Sequence, residues 1–405
     1  MRFLKAVFLI ASFFPVSAFG EGLDASWLRT KTLANALNPN ISVIGDMTVN
    51  TGPMRDAQSN RMSLRETEIG LQASVDPYAR ADFFVSFPEA ENPELEEGYV
   101  SLLSLPWNLR ARGGKFRPNF GKLNMIHPHE MPQVDAPLVI SGFLGDEGLN
   151  DTGAEVSRIF APMGVFTELS YAVLNGLGAA PEREPATTTV VDTNGNTVTV
   201  TVNRDEPAAE RTIQNFAQIA RLRIFKDLSD SANLDLGISG LLHQPKLARE
   251  TRMGGIDLTL RWKPLQEGQY RAFIWRTEAL YSDRKLAPAT DHVTQIVTPE
   301  QRMHRRGIYS YAEYQWSRRW KAGLRGDYAE SPEIADETIT LQDRTTRMVD
   351  VSITRAVTPY VTFTLSEFNR FRLQYQNRVV PGDDTEHSLF FQWTVVLGPH
   401  GAHAF

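Results

Sequence analysis

The 405-residue chain contains no cysteine. Disulfide scaffolds, thiolate metal sites and a cysteine nucleophile are thereby excluded. Beyond position 20 it also lacks any apolar run of about 18 residues, so no transmembrane helix is encoded. A membrane β-barrel escapes that exclusion, because each strand hides half its residues from lipid. Positive charge is not in excess: 42 Lys and Arg stand against 48 Asp and Glu, a net charge of −6. No nucleic-acid partner is expected without a broad basic face. The phosphate-cradling G-x-x-x-x-G-K-[ST] and G-x-G-x-x-G loops are missing, as are G-x-S-x-G and H-E-x-x-H. Hydrophobic residues make up 42% of the chain and aromatics 10%, which is too rich for a disordered polymer.

The N-terminus has the order of an export signal. Arg2 and Lys5 supply charge, Ala6 to Pro15 an apolar stretch, and small residues then offer cleavage after Ala18 or after Gly20. Residues 1–20 are expected to be this signal and 21–39 a periplasmic tether or short helix. An exported chain without cysteine fits a bacterial envelope.

From residue 40 to 405 the pattern has period two. In 79–87, Ala79, Ala81, Phe83, Val85 and Phe87 oppose Arg80, Asp82, Phe84 and Ser86. In 256–263, Ile256, Leu258, Leu260 and Trp262 oppose Asp257, Thr259, Arg261 and Lys263. Residues 320–328 and 389–397 alternate in the same way. This is the strand signal. Short connections are expected at 76–78, 106–108, 161–164, 226–231, 263–268, 317–319 and Val357-Thr358-Pro359. Long polar ones are expected near 50–61, 88–95, 117–151, 178–212, 245–250, 284–303, 333–341 and 373–383. Short and long connections alternate, which predicts an all-β fold: a transmembrane antiparallel up-and-down β-barrel of about 16 strands, short turns in the periplasm and long loops outside. Tyr78, Trp107, Trp262, Trp316, Trp320 and Tyr360 are expected in interfacial girdles. A barrel of that size encloses water, which solvates an inward charged face.

The third external connection, 117–151, mixes Leu138, Val139, Ile140, Phe143 and Leu144 with Pro128, Pro132 and Pro137. An inward fold that narrows the channel is expected, with an external lid or adhesive loop as the alternative. Inward charges should include Glu66, Glu68, Asp82, Asp257, Asp327 and Asp350, with Arg80, Arg110, Arg112, Arg221, Arg223, Arg261, Lys263, Lys321 and Arg325. Bases gather near the short turns, while Pro88 to Glu97 holds five Glu. A basic periplasmic vestibule under an acidic mouth gives a weak anion preference. His127, His129 and Glu130 form the single metal-like cluster, of Zn or Cu character, though His spaced by two is not a recognised ligand spacing; its loop position suggests exposure. His243 near Ser239 and His387 beside Ser388 sit at expected external strand ends and are the pairs considered for a hydrolase site, a pairing common by chance. No catalytic residue and no cofactor is expected.

The segments LRETEIGLQASVDPYARADFF (64–84), EEGYVSL (96–102), GKFRPNFGKLN (114–124), HPHEMPQVDAP (127–137), FLGDEGLNDTG (143–153) and LGPHGAHAF (397–405) carry a family resemblance. The chain resembles bacterial porin-like outer-membrane barrels related to the phosphate-selective porin superfamily. Some sequences with such segments are labelled zinc-regulated outer-membrane receptors. The resemblance implies a passive or facilitated pore for small hydrophilic or ionic solutes, set in outer-membrane lipid. By analogy it implies a homotrimer, and recognition of the terminal Phe405 by the barrel assembly machinery. The lysine-rich ladder of phosphate-selective channels is absent; arginines stand in its place. The other readings are an outer-membrane receptor or binding protein for a metal or small ligand without a plug domain, and an outer-membrane enzyme. Some 20 residues between signal and first strand cannot fold a plug.

Overall fold

A computed structural model describes residues 39–52, 61–89, 92–145, 148–177, 186–191, 197–202, 216–244, 250–286, 289–290, 297–298, 301–332, 347–348, 351–382 and 385–398. The expected export signal, nearly all of the tether, Asp350 and Phe405 lie outside these residues.

Sixteen strands form the wall: β1 (Asn40–Asn50), β2 (Met62–Ser74), β3 (Ala79–Phe87), β4 (Glu94–Leu105), β5 (Leu109–Phe116), β6 (Asp151–Phe160), β7 (Phe166–Leu174), β8 (Ala217–Ser229), β9 (Ala232–His243), β10 (Glu250–Trp262), β11 (Ala272–Leu286), β12 (Gln301–Gln315), β13 (Trp320–Pro332), β14 (Val351–Ser366), β15 (Asn369–Val379) and β16 (Glu386–Leu397). Each runs antiparallel to the next, and β16 returns to β1 from Val43 opposite Leu397 to Asn50 opposite Phe390. The sheet is therefore closed. A separate hairpin, Ala186–Val191 with Thr197–Val202, lies between β7 and β8, which pair directly with each other.

Alternation determines what each face meets. Ile238, Leu242, Ile256, Leu324, Val357 and Leu389 point outward and are exposed, forming an apolar exterior. Their neighbours Ser239, Asp257, Arg325 and Thr358 point inward and are buried. Water would leave that exterior unfavourably hydrated, whereas hydrocarbon accepts it.

The short connections, two to nine residues long, all lie at one end; the connections at the other end run from six to 42 residues. Local chemistry shapes the tight ones. Asp76 Oδ1 accepts the N–H groups of Tyr78 and Ala79 at 2.7 and 2.8 Å. The β4–β5 turn places Trp107 and Asn108 at φ 62° and 57°. Asn tolerates that left-handed backbone, whereas Trp is held there at some cost.

Two sequence expectations fail here. Val357-Thr358-Pro359 is not a turn. It lies within β14, and the chain reverses instead at Glu367 and Phe368. The β14–β15 register passes from Val357–Asn377 to Tyr360–Gln374, omitting Thr358 and Pro359. A proline is admitted where the ladder is interrupted. The strand count survives because the turn was displaced, not removed. Tyr360 is not in a girdle either: it points inward, its ring over Gly323, where a Cβ would lie 2.4 Å from the phenol oxygen.

The girdle itself is present on the outer face. At the short-turn end, Trp316, Trp320, Phe363, Phe371 and Trp393 form a row with successive ring centroids 4.7–6.4 Å apart. Towards the other end, Tyr281 stacks on His304 and Tyr375 on His387. Such amphipathic rings suit the two lipid–water boundaries.

Ile256 is the central residue of β10 and is 62% exposed on the outer face. Ile256→Arg should destabilise the barrel in lipid vesicles by about 2–4 kcal/mol, against about 0–1 for Leu265→Arg in the β10–β11 turn. Urea titration of both variants in the same vesicles measures the difference.

Candidate functional site: the lumen and residues 117–150

The connection between β5 and β6 makes its contacts with inward-facing side chains around much of the wall. The Asn119 N–H donates to Glu155 of β6 at 3.0 Å. The Gly121 N–H donates to Ser239 and Lys122 Nζ to Asp235, both of β9, at 3.0 and 2.7 Å. Gln374 of β15 accepts the Val134 N–H at 2.9 Å, and Asp327 of β13 accepts that of Leu138 at 3.2 Å. Arg65 of β2 donates to the Val134 carbonyl, Arg305 of β12 to that of Gly142, and Arg370 of β15 to that of His129. Backbone groups without a sheet partner are thus served by wall side chains, as burial requires.

Helix α1 (Leu138–Leu144) gives the segment an apolar side. Val139, Ile140, Phe143 and Leu144 are buried in one cluster with Leu280, Tyr309 and Ala329 of the inner wall. Gly307 permits this approach: a Cβ there would lie 2.7 Å from Val139 Cγ2.

Arg325, fully buried on β13, ties the segment to the wall electrostatically. Its Nε donates to Asp327 Oδ2 at 2.7 Å, and Nη1 and Nη2 donate to the carbonyl and carboxylate of Asp135 at 2.9 and 2.8 Å. Gln374 and Gln376 also donate to Asp135, at 2.5 and 2.8 Å. Burial disfavours charge on Asp135, but Arg325 and the two amides outweigh it and hold this carboxyl below its ordinary range. Burial pulls Lys122 down to about 8, with Asp235 opposing and Arg223 reinforcing the shift.

Most of the other expected lumen charges are paired. Arg80 meets Asp82 at 2.7 Å, Arg112 meets Glu155 at 3.0 Å, Arg221 meets Asp257 at 2.6 Å, Arg223 meets Asp235 at 2.8 Å and Lys321 meets Glu313 at 3.0 Å. Arg110 faces a cavity, and Arg261 is half-buried on the inner face. Lys263 does not face the lumen wall: β10 ends at Trp262, so Lys263 lies exposed in the following turn. Acids that the sequence reading missed complete the pairs, among them Asp46, Glu155, Asp235 and Glu313. Strand alternation was the signal that could have found them.

The histidines are not exposed. His127 is 0% and His129 2% accessible, because the wall surrounds their loop. Glu130 is outside their immediate cluster; the groups brought to them are Glu66, Glu68, Glu96 and Glu97. Burial opposes charge on His127, but Glu68, Glu96 and Glu97 overcome it and hold the imidazole well above its usual range. The two hydrolase pairs do not form. Ser239 is bound to Arg221, four residues along the strand from His243. His387 and Ser388 are consecutive in β16 and point to opposite faces.

Two cavities flank the segment. One of about 460 Å³ lies towards the short turns, lined by Arg80, Arg110, Arg112, Lys122, Arg221 and Arg223 against Asp82, Glu155 and Glu168. The other, about 520 Å³, lies towards the long connections, with Arg65 and Arg378 against Glu66, Glu94, Glu96 and Asp135.

With this geometry in hand, solved structures supply a comparison. OprB of Pseudomonas putida aligns with a TM-score of 0.53 at 8% identity, over 92% of this chain and 97% of that one. The channel DcaP of Acinetobacter baumannii gives 0.51 at 12% identity (89% and 96%), and an anion-selective porin of Comamonas acidovorans 0.50 at 10% (89% and 99%). The fold is that of the outer-membrane porins. In sequence, an uncharacterized protein of Aquifex aeolicus (strain VF5) is 29% identical over 364 residues, spanning 85% of this chain and 70% of its own length. No protein-family model matches the chain.

Arg325→Met leaves Asp135 and Asp327 without their shared cation and should destabilise the protein by about 3–5 kcal/mol. Adding Asp327→Asn should restore part of that loss. Denaturant unfolding of the single and double variants checks both expectations.

Proposed function

We propose that the protein is an outer-membrane diffusion channel for small hydrophilic or ionic solutes. The observation that carries this reading is a closed wall, apolar outside and charged inside, with a cavity of about 460 Å³ on one side of residues 117–150 and one of about 520 Å³ on the other. In this reading the segment is an inward-folded constriction. Solutes cross by electrodiffusion, without a covalent step or an energy source.

Sidedness follows from export. With β1 entering from the periplasm, the short turns remain there and the long connections face outward. The periplasmic cavity then carries six bases against three acids, and the external one two against four. Charged rings at close quarters discriminate ions by field, so the narrow passage beside Arg80, Arg110 and Lys122 favours anions over cations. Pairing with Asp82 and Asp235 moderates that field, which makes the preference weak. Homotrimer formation and recognition of Phe405 during assembly belong to the same proposal by analogy with porins.

The purified chain in a planar bilayer should give discrete conductance steps. A salt gradient at pH 7 should give a reversal potential of anion-selective sign, and Arg80→Glu with Arg110→Glu should move it towards cations. A silent bilayer would defeat the channel reading, and cation selectivity of the wild type would defeat the charge assignment. Lys122 is charged below a pKa of about 8 and neutral above it. Raising the pH from 7 to 9 should therefore weaken the anion preference, and Lys122→Met should remove that step.

A further inference from the structure

We propose that His127, His129, Glu66, Glu68 and Glu96 form a binding site for one divalent transition-metal ion, which fastens the 117–150 segment to β2 and β4. Two overlapping triads, Glu68–His127–His129 and Glu66–Glu68–Glu96, each hold their ligand atoms within 4.8 Å of one another. All five residues are buried. The strand period places Glu66 and Glu68 on one face of β2, and Pro128 separates two histidines that both turn towards them.

The spacing is that of donors around an ion. Metal bonds of about 2.0–2.2 Å separate neighbouring donors by about 3 Å. His127 Nδ1 lies 2.8 Å from Glu68 Oε2 and 3.0 Å from Glu96 Oε2, and His129 Nδ1 lies 3.5 Å from Glu66 Oε2. A single Nδ1 proton is shared poorly between two carboxylates, whereas an ion serves both at once. Glu68 is fully buried, and its Oε1 has no hydrogen-bond partner among the described residues.

The surroundings match a metal's outer shell. The other ring nitrogen of His127, Nε2, lies 2.7 Å from Glu97 Oε1, the carboxylate–histidine arrangement that orients a ligating imidazole. Arg117 braces Glu96 and Glu97 at 3.4 and 3.9 Å. Phe84 covers His127 with ring centroids 5.3 Å apart. Two imidazoles with carboxylates and no thiolate select a first-row divalent ion over Mg²⁺ or Ca²⁺. On binding, the Nδ1 proton leaves to solvent and the ion takes its position.

The test uses the full-length barrel in detergent, stripped with chelator and then loaded with Zn²⁺ or Co²⁺. One ion per chain should survive desalting, and the unfolding temperature should rise. X-ray absorption of the Zn²⁺ form should show two imidazoles and carboxylate oxygen. His127→Gln with His129→Gln should abolish binding, Glu97→Gln should weaken it about 10–100-fold, and His304→Gln with His387→Gln should leave it unchanged. Substoichiometric binding, a shell without imidazole, or binding that survives the His127/His129 replacement would overturn the site. The wild-type absorption spectrum decides the matter even where the double variant does not refold.

Discussion

Hydrocarbon offers no partner to a backbone N–H or C=O, and the architecture depends on that constraint. An open sheet would leave two unpaired edges in lipid, so β16 must return to β1. Closure commits alternate residues to the inside. The outward set can then be uniformly apolar, and the inward set must be solvated or paired. The salt bridges of the inner wall follow from this division, not from any need for stability, since buried pairs add little net stability over apolar packing.

The segment between β5 and β6 uses both kinds of inward surface. Its polar backbone is met by arginines and glutamines of the wall, and its short helix by an apolar patch on β11 to β13. Sequence-distant groups are thereby held in one register. Arg325 illustrates the economy of the arrangement: one guanidinium orients a wall carboxylate and a segment carboxylate together.

Much of this was legible in the sequence, because period-two alternation is a direct imprint of a surface with two solvents. Ile256 and Asp257 could be assigned to opposite faces without coordinates, as could Leu324 and Arg325. Pro359 misled because proline usually marks a break, and only the neighbouring strands reveal that its missing donor falls in a ladder gap. His127 and His129 misled for a related reason. A loop sequence reads as solvent-exposed, but here the wall buries it. Glu96 and Glu97 looked like part of an acidic external run; strand β4 begins at Glu94 and carries them into the interior. Partners 241 residues apart, such as Gln376 and Asp135, leave no local trace.

That separation bears on the order in which the molecule is completed. Residues 117–150 are synthesised before every strand from β6 onward, yet their anchors include Arg325 on β13 and Gln374 on β15. The segment cannot finish docking until the C-terminal strands have arrived. A chain that stalls before β11 to β13 are in place would leave Val139, Ile140 and Phe143 of the segment without the wall that covers them.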